Sequence, residues 1–225
     1  MRDMAAVAEA ARRARRLGVL GGSFDPPHLG HLHVARAAGS AFDLDHVLLV
    51  PAARPPHKPG RRLASGEDRV AMLELLIGEA AGSPPDLSIW TGELERQGPS
   101  FAIDSARELR EALGSHVKLF WILGSDNLVG LPTWRAAAEL LRSVQPIVVY
   151  RQGEPLDADE PGGLDEETRE RLRRGRVEVP PFAASSSDLR RALEQGREPG
   201  PALPARLREY ARTHGIYSTP WESTP

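Results

Sequence analysis

The sequence predicts an α/β fold: a doubly wound, mostly parallel sheet with a small helical part at the C-terminal end. Short apolar runs alternate with amphipathic stretches of helical length, the pattern left when each strand is followed by a crossover helix. The first apolar run stops at a glycine pair that leads into a helix, a strand-to-helix turn suited to such sheets. A chain of 225 residues with 40% apolar side chains can bury one full core, most simply as one domain.

The elements follow in order. Residues 1–16 mix alanine, arginine and acids and are expected as an N-terminal extension, either disordered or a helix with an exposed basic face. A single domain is expected over 17–217 and a tail over 218–225. Strands are predicted at 17–20, 47–50, 87–90, 117–123 and 146–150, each a compact apolar run. Helices are predicted at 29–38, 67–80, 102–113, 134–141, 166–173, 187–195 and 204–217. Residues 152–163, rich in Gly, Pro and acids, read as a surface loop.

Composition narrows the function. A net charge of −2 and a pI near 6.4 argue against a general nucleic-acid binder, which needs a basic surplus, so the expected partners are small molecules. The absence of cysteine removes disulfides, thiol catalysis and Cys-based metal sites, and fits a reducing cytoplasm. No window reaches the length of a membrane span, and residues 1–16 lack a secretory apolar core. The expectation is a cytoplasmic protein, monomer or homo-oligomer, with no membrane and no nucleic-acid partner.

The most informative segment is Gly21 to His31, GGSFDPPHLGH. Leu17, Val19 and Leu20 enter Gly21 and Gly22, which lack Cβ atoms and let a polyphosphate approach the backbone. Pro26 and Pro27 keep the chain extended before a helix. His28 and His31, three residues apart, share one face at its start, where free N–H groups and the positive dipole end favour an anion. Two imidazoles there can donate to phosphate oxygens and hold charge developing at phosphorus. Three other readings compete: a metal site made with His33, a dinucleotide fingerprint, and a structural turn with incidental histidines. Asp25 is separated from the histidines by two prolines and His33 points off their face, which speaks against the metal. Neither G-x-G-x-x-G nor a Walker loop is present.

Four later segments add candidates. VPAARPPHKP (Val50 to Pro59) sets Arg54, His57 and Lys58 in a proline-stiffened loop at a strand end, suited to a phosphate or carboxylate or simply solvated. In GPSFAI, Ser100 is a candidate helix cap, with Phe101 packing inward and Ala102 next to it. WILGSDNLVGLPTW places Gly124, Ser125, Asp126 and Asn127 at a strand end and Trp134 at a helix start; the acid can meet a ribose or order a phosphate-bound cation, and the Trp can stack on a planar ring. Their alternatives are a helix cap and a core residue. SSSDLR offers Ser185, Ser186 and Ser187 with Arg190 one turn on, a set of hydroxyl, backbone and guanidinium donors for phosphate, or an ordinary cap with an exposed Arg.

GGSFDPPHLGH resembles the nucleotidyltransferase superfamily signature G-[GT]-[ST]-F-D-x-x-H-x-G-H, and SSSDLR resembles its second signature I-S-S-T-x-[IL]-R, with Ala184 and Ser187 in the Ile and Thr places. The PPHK loop and the GSDNLVGLPTW segment resemble the nicotinate mononucleotide adenylyltransferase family of that superfamily. The likeness runs from Leu17 to Tyr217 in the family's order and implies a Rossmann-like nucleotidyltransferase fold. It implies adenylyl transfer from ATP to nicotinate mononucleotide, giving deamido-NAD and pyrophosphate in NAD biosynthesis, with Mg²⁺ accompanying ATP and no metal held by the protein alone. By position, His28, His31 and Arg190 would be catalytic. ATP would meet Gly21, Gly22, Ser23, Phe24, His28, His31, Gly124, Asp126, Ser186, Ser187 and Arg190, and the pyridine nucleotide His57, Lys58, Phe101, Ala102 and Trp134. Departures are Ala52 where many members carry Asn, Ala102 where Thr is common, and Ser23 for Thr. A pantetheine-phosphate adenylyltransferase, a cytidylyltransferase or a non-catalytic nucleotide-binding regulator would share the first and last motifs.

Overall fold

In a computed structural model the described residues are 9–53, 63–153, 163–182 and 184–217. Six strands form one sheet: β1 (Arg16–Gly22), β2 (His46–Pro51), β3 (Asp86–Ile89), β4 (Lys118–Gly124), β5 (Gln145–Arg151) and β6 (Arg176–Val179), in the order β3-β2-β1-β4-β5-β6 and parallel throughout. The apolar runs explain the arrangement, because strands covered on both faces read as continuous hydrophobic stretches, and every residue of β2 (HVLLVP) is buried.

The helices cover both faces. On one side, α2 (Leu29–Ala41) and α3 (Gly66–Glu79) pack on a core of Leu20, Phe24, Leu49, Leu73, Phe120, Ile122 and Ile147. On the other, α5 (Ala102–Leu113), α6 (Ala137–Ser143) and α7 (Glu166–Arg174), with α1 (Glu9–Arg13) and α4 (Gly92–Glu95) ahead of them, enclose Leu17, Val19, Leu48, Trp90, Leu109, Leu119 and Trp121. A third cluster joins α8 (Ser186–Glu194) and α9 (Ala205–Thr213) to α2 and α3 through Leu32, Met72, Leu76, Leu189 and Leu207. Each fully buried Leu or Phe in these cores contributes about 1.5–3 kcal/mol.

Several expectations need revision. The sheet has a sixth strand, β6, whose RVEV sequence alternates and carries an exposed Glu178, as an edge strand does. The predicted helix over 134–141 begins only at Ala137, because Trp134 is extended and Ala136 takes a left-handed φ of 52°. The last helix is Ala205–Thr213, shorter than 204–217. Within the stretch 1–16, residues 9–13 form α1, and Ala11 and Ala14 are buried in the core while Arg12 and Arg13 face outward. Most of the loop predicted over 152–163 lies outside the described residues. Among the described residues no helix is long and apolar enough to cross a membrane.

Candidate active site

The strand order sets where the site lies. From β1 the chain works outward to β2 and β3, then returns to β4 beside β1 and works outward the other way, so the crevice past the ends of β1 and β4 is the topological switch point. Gly21 and Gly22 close β1, and Gly124 closes β4. Gly21 is exposed although its strand is central, and a Cβ built on it meets nothing within 4 Å. Open space therefore stands over the strand end on the face shared with Leu17 and Val19.

The turn after β1 is held from several directions. Phe24 adopts φ 47°, and its ring is only 1% exposed, packed beside Gly22 and 4.8 Å from the His31 ring. Phe24 is thus a core residue, and what it can offer a nucleotide is backbone. Arg69 of α3, 2% exposed, donates to the carbonyls of Ser23 and Ala52 at 2.8 Å and of Ala64 at 3.1 Å, tying the turn to the end of β2. Asp25 is fully buried; its Oδ1 accepts from the Ala64 amide at 3.2 Å and the Tyr217 hydroxyl at 2.5 Å, and its Oδ2 lies 3.6 Å from Arg190.

His28 and His31 cap α2 reciprocally. Nδ1 of His28 accepts from the Gly30 amide, and Nδ1 of His31 accepts from the His28 amide, each at 3.1 Å, so two orphan donors of the helix start are satisfied by imidazoles. With both Nδ1 atoms acting as acceptors, each neutral ring carries its proton on Nε2. Gly30 makes this packing possible: a Cβ there would lie 2.7 Å from His28 Cε1, 2.8 Å from Nδ1 and 3.0 Å from Phe182. Burial lowers the His28 pKa to about 4, and burial together with the neighbouring His28, whose ring centroid is 4.0 Å away, lowers that of His31 well below its ordinary value. At neutral pH the free protein thus presents two uncharged Nε2–H donors rather than the two cations that exposed histidines become at lower pH.

This carries a stability signature. The folded pKa of His28 lies below the unfolded value, so the unfolded chain takes up the proton first as pH falls. The contribution is intact above pH ~6.5 and is lost as pH falls towards 4, by about 2–3 kcal/mol. Urea unfolding midpoints at pH 7 and 4.5 check it: the drop between them is expected to shrink in His28→Gln.

The second motif docks on the first. In α8, Ser185 caps the helix by accepting from the Asp188 amide at 3.2 Å, and Ser186 Oγ donates to the Pro26 carbonyl at 3.0 Å. Arg190 donates to the Asp25 carbonyl and, at 3.0 Å, to Ser187 Oγ. Residues 160 or more positions apart thereby bring the start of α8 against the turn that starts α2.

The end of β4 brings two further candidates, Gly124 and Asp126, together. A Cβ on Gly124 would sit 2.5 Å from Asp126 Oδ1, so its absence lets that carboxylate fold over the end of β4, where Asn127 donates to it at 3.0 Å. Phe101 and Trp134 both pack on the Leu17–Val19 face, and the guanidinium of Arg135 lies 4.9 Å from the centroid of the Phe101 ring. Ala102 is half-buried at the first turn of α5. Ser100 does not cap α5: it is buried and donates to the Glu93 carbonyl at 3.2 Å, while Phe101 is the cap position without a side-chain bond. His57 and Lys58 lie outside the described residues. Sequence reasoning missed Gly30, Arg69 and Tyr217 and gave Asp25 no role in the site. Gly30 was visible as the glycine between two histidines, whereas Arg69 on a predicted helix gives no sign of burial.

The profile of the cytidylyltransferase-like family matches residues 19–192. A probable nicotinate-nucleotide adenylyltransferase of Halalkalibacterium halodurans is 38% identical over 91% of this chain and 92% of its own length. One from Bordetella petrii is 40% identical over 90% and 99%, respectively. Among solved structures, a Plasmodium falciparum nicotinic acid mononucleotide adenylyltransferase complexed with NaAD superposes with a TM-score of 0.72 at 18% identity, covering 92% of this chain and 100% of that one, which shows a shared fold. The two signatures docked on each other, the strand order and these relatives agree: the chain belongs to the cytidylyltransferase-like family, among its nicotinate-nucleotide adenylyltransferases.

Proposed function

We propose that the chain catalyses adenylyl transfer from ATP to nicotinate mononucleotide, giving deamido-NAD and pyrophosphate in NAD biosynthesis, in the cytoplasm. The observation that carries this reading is the docking of α8 on the histidine-capped start of α2 at the switch point, supported by the names of the relatives.

The 5′-phosphate of the acceptor attacks the α-phosphorus of ATP in line. The phosphate already carries the nucleophilic oxygen, so the protein's work is alignment and charge stabilisation. Nε2–H of His28 and of His31 donates to phosphate oxygens as negative charge grows on them. Ser187 and Arg190, with the amide groups opening α8, hold the phosphates that leave as pyrophosphate. Gly21, Gly22 and the backbone of Ser23 and Phe24 let the triphosphate lie close to the strand end, and Gly124 with Asp126 borders the nucleoside. Ser186 supports the site indirectly, since its hydroxyl is engaged with Pro26. Phe101 and Trp134, with Ala102, form the pyridine side, and His57 and Lys58 are assigned to the same nucleotide by the likeness of their motif alone.

ATP-using enzymes of this family generally need a divalent metal, and we assign Mg²⁺ to that place. Among the described residues no cluster of three His, Asp or Glu side chains is placed to hold an ion. We assign the cation to the phosphates of ATP and give no protein group to it.

Pyrophosphate release from MgATP with a panel of acceptors tests the reading. Nicotinate mononucleotide is expected to support turnover and phosphopantetheine not to. Product from phosphopantetheine but not from nicotinate mononucleotide would overturn it.

A further inference from the structure

We infer that Tyr217 is a positioning residue for the leaving-phosphate site, acting through the buried carboxylate of Asp25 on the guanidinium of Arg190. The inference rests on the assignment of Arg190 to those phosphates.

Asp25 stands between two guanidinium groups. Arg190 lies 3.6 Å from Oδ2 and also donates to the Asp25 carbonyl, while Arg69, held by three backbone carbonyls, interacts with the same carboxylate through its charge. A buried carboxylate beside two cations needs its plane fixed by further donors, since a partial turn about Cβ–Cγ would draw Oδ2 away from Arg190. Two donors supply that: the Ala64 amide at 3.2 Å and the Tyr217 hydroxyl at 2.5 Å, both on Oδ1. With Oδ1 so occupied, Oδ2 is left facing Arg190, whose other end is set by Ser187.

Tyr217 is 192 residues from Asp25 in sequence and lies beyond the end of α9, so the chain returns to the first motif to deliver this hydroxyl. It does so in a left-handed backbone conformation, φ 64°, which L side chains rarely adopt. Burial and the adjacent Asp25 push the phenol's pKa upward, which keeps the hydroxyl protonated at neutral pH.

The consequence is specific to ATP. Loss of the hydroxyl loosens Asp25 and, through it, Arg190, while Phe101 and Trp134 pack against the separate core cluster that holds Leu17 and Val19. Calorimetric titration of the full chain with MgATP, without acceptor, reads this directly in wild type, Tyr217→Phe, Arg190→Ala and the double variant. Tyr217→Phe removes one oxygen and keeps the ring, and thermal melting verifies its fold. It is expected to weaken MgATP binding about tenfold, to leave KM for nicotinate mononucleotide within about twofold, and to add less than about twofold once Arg190 is already alanine. Binding within twofold of wild type in Tyr217→Phe, or an equal loss in both Arg190 backgrounds, would overturn the inference. The titration contains no acceptor, so an error in the acceptor assignment would appear only in the turnover assay and would be distinguishable from failure here.

Discussion

Replacing His31 with alanine is expected to lower kcat by roughly two to three orders of magnitude, the loss typical of removing one preorganised donor from a developing anion. Its Nδ1 accepts from the His28 amide at 3.1 Å, which holds the ring with Nε2–H as the group proposed to meet the phosphates. The same substitution removes a helix cap, which costs about 1 kcal/mol, a modest share of a stability of about 5–15 kcal/mol. The variant should therefore fold, with a thermal transition only a few degrees lower. Steady-state kinetics at saturating ATP and acceptor, beside a thermal melt, separate the two effects. A folded His31→Ala enzyme within tenfold of the wild-type kcat would remove the role assigned to this side chain.

Gly30→Ala sets two forces against each other. Helix propensity alone favours alanine by about 0.8–1 kcal/mol. The added Cβ, however, would stand 2.7 Å and 2.8 Å from two atoms of the His28 ring, separations that real Cβ atoms do not keep, and 3.0 Å from Phe182, itself a tight contact. The ring must leave its capping position, and with it goes the alignment of Nε2–H. A fall in kcat of about 10²-fold is expected, together with no gain in melting temperature. A more stable enzyme with unchanged kcat would mean that the position of the His28 ring is immaterial to the reaction.

How much of this was legible in the sequence differs by element. The central strands were readable because burial on both faces leaves an unbroken apolar signature, as in VLLV of β2. β6 was not, since RVEV has the alternation of an edge and little apolar content. The late start of α6 depends on the left-handed Ala136, a residue type that gives no warning of that conformation. The two signatures were legible because their chemistry is local: glycines at a strand end, histidines one turn apart, serines opening a helix. What joins them is not local. Asp25 is met by Arg69, Arg190 and Tyr217 from three distant stretches of chain, and no short window of sequence shows that these charges are buried together. The charge state of the histidines belongs to the same class, since composition suggests cations near pH 6 and only burial makes them neutral donors.

The central claim is that these groups align one direct displacement at the α-phosphorus, with no covalent adenylyl-enzyme. The stereochemical course tests it most directly. ATP bearing a single configuration of sulfur on the α-phosphate, reacted with nicotinate mononucleotide, should give a dinucleotide with inverted configuration at that phosphorus, the mark of one in-line step. Net retention would require two displacements through an enzyme nucleophile and would contradict the account.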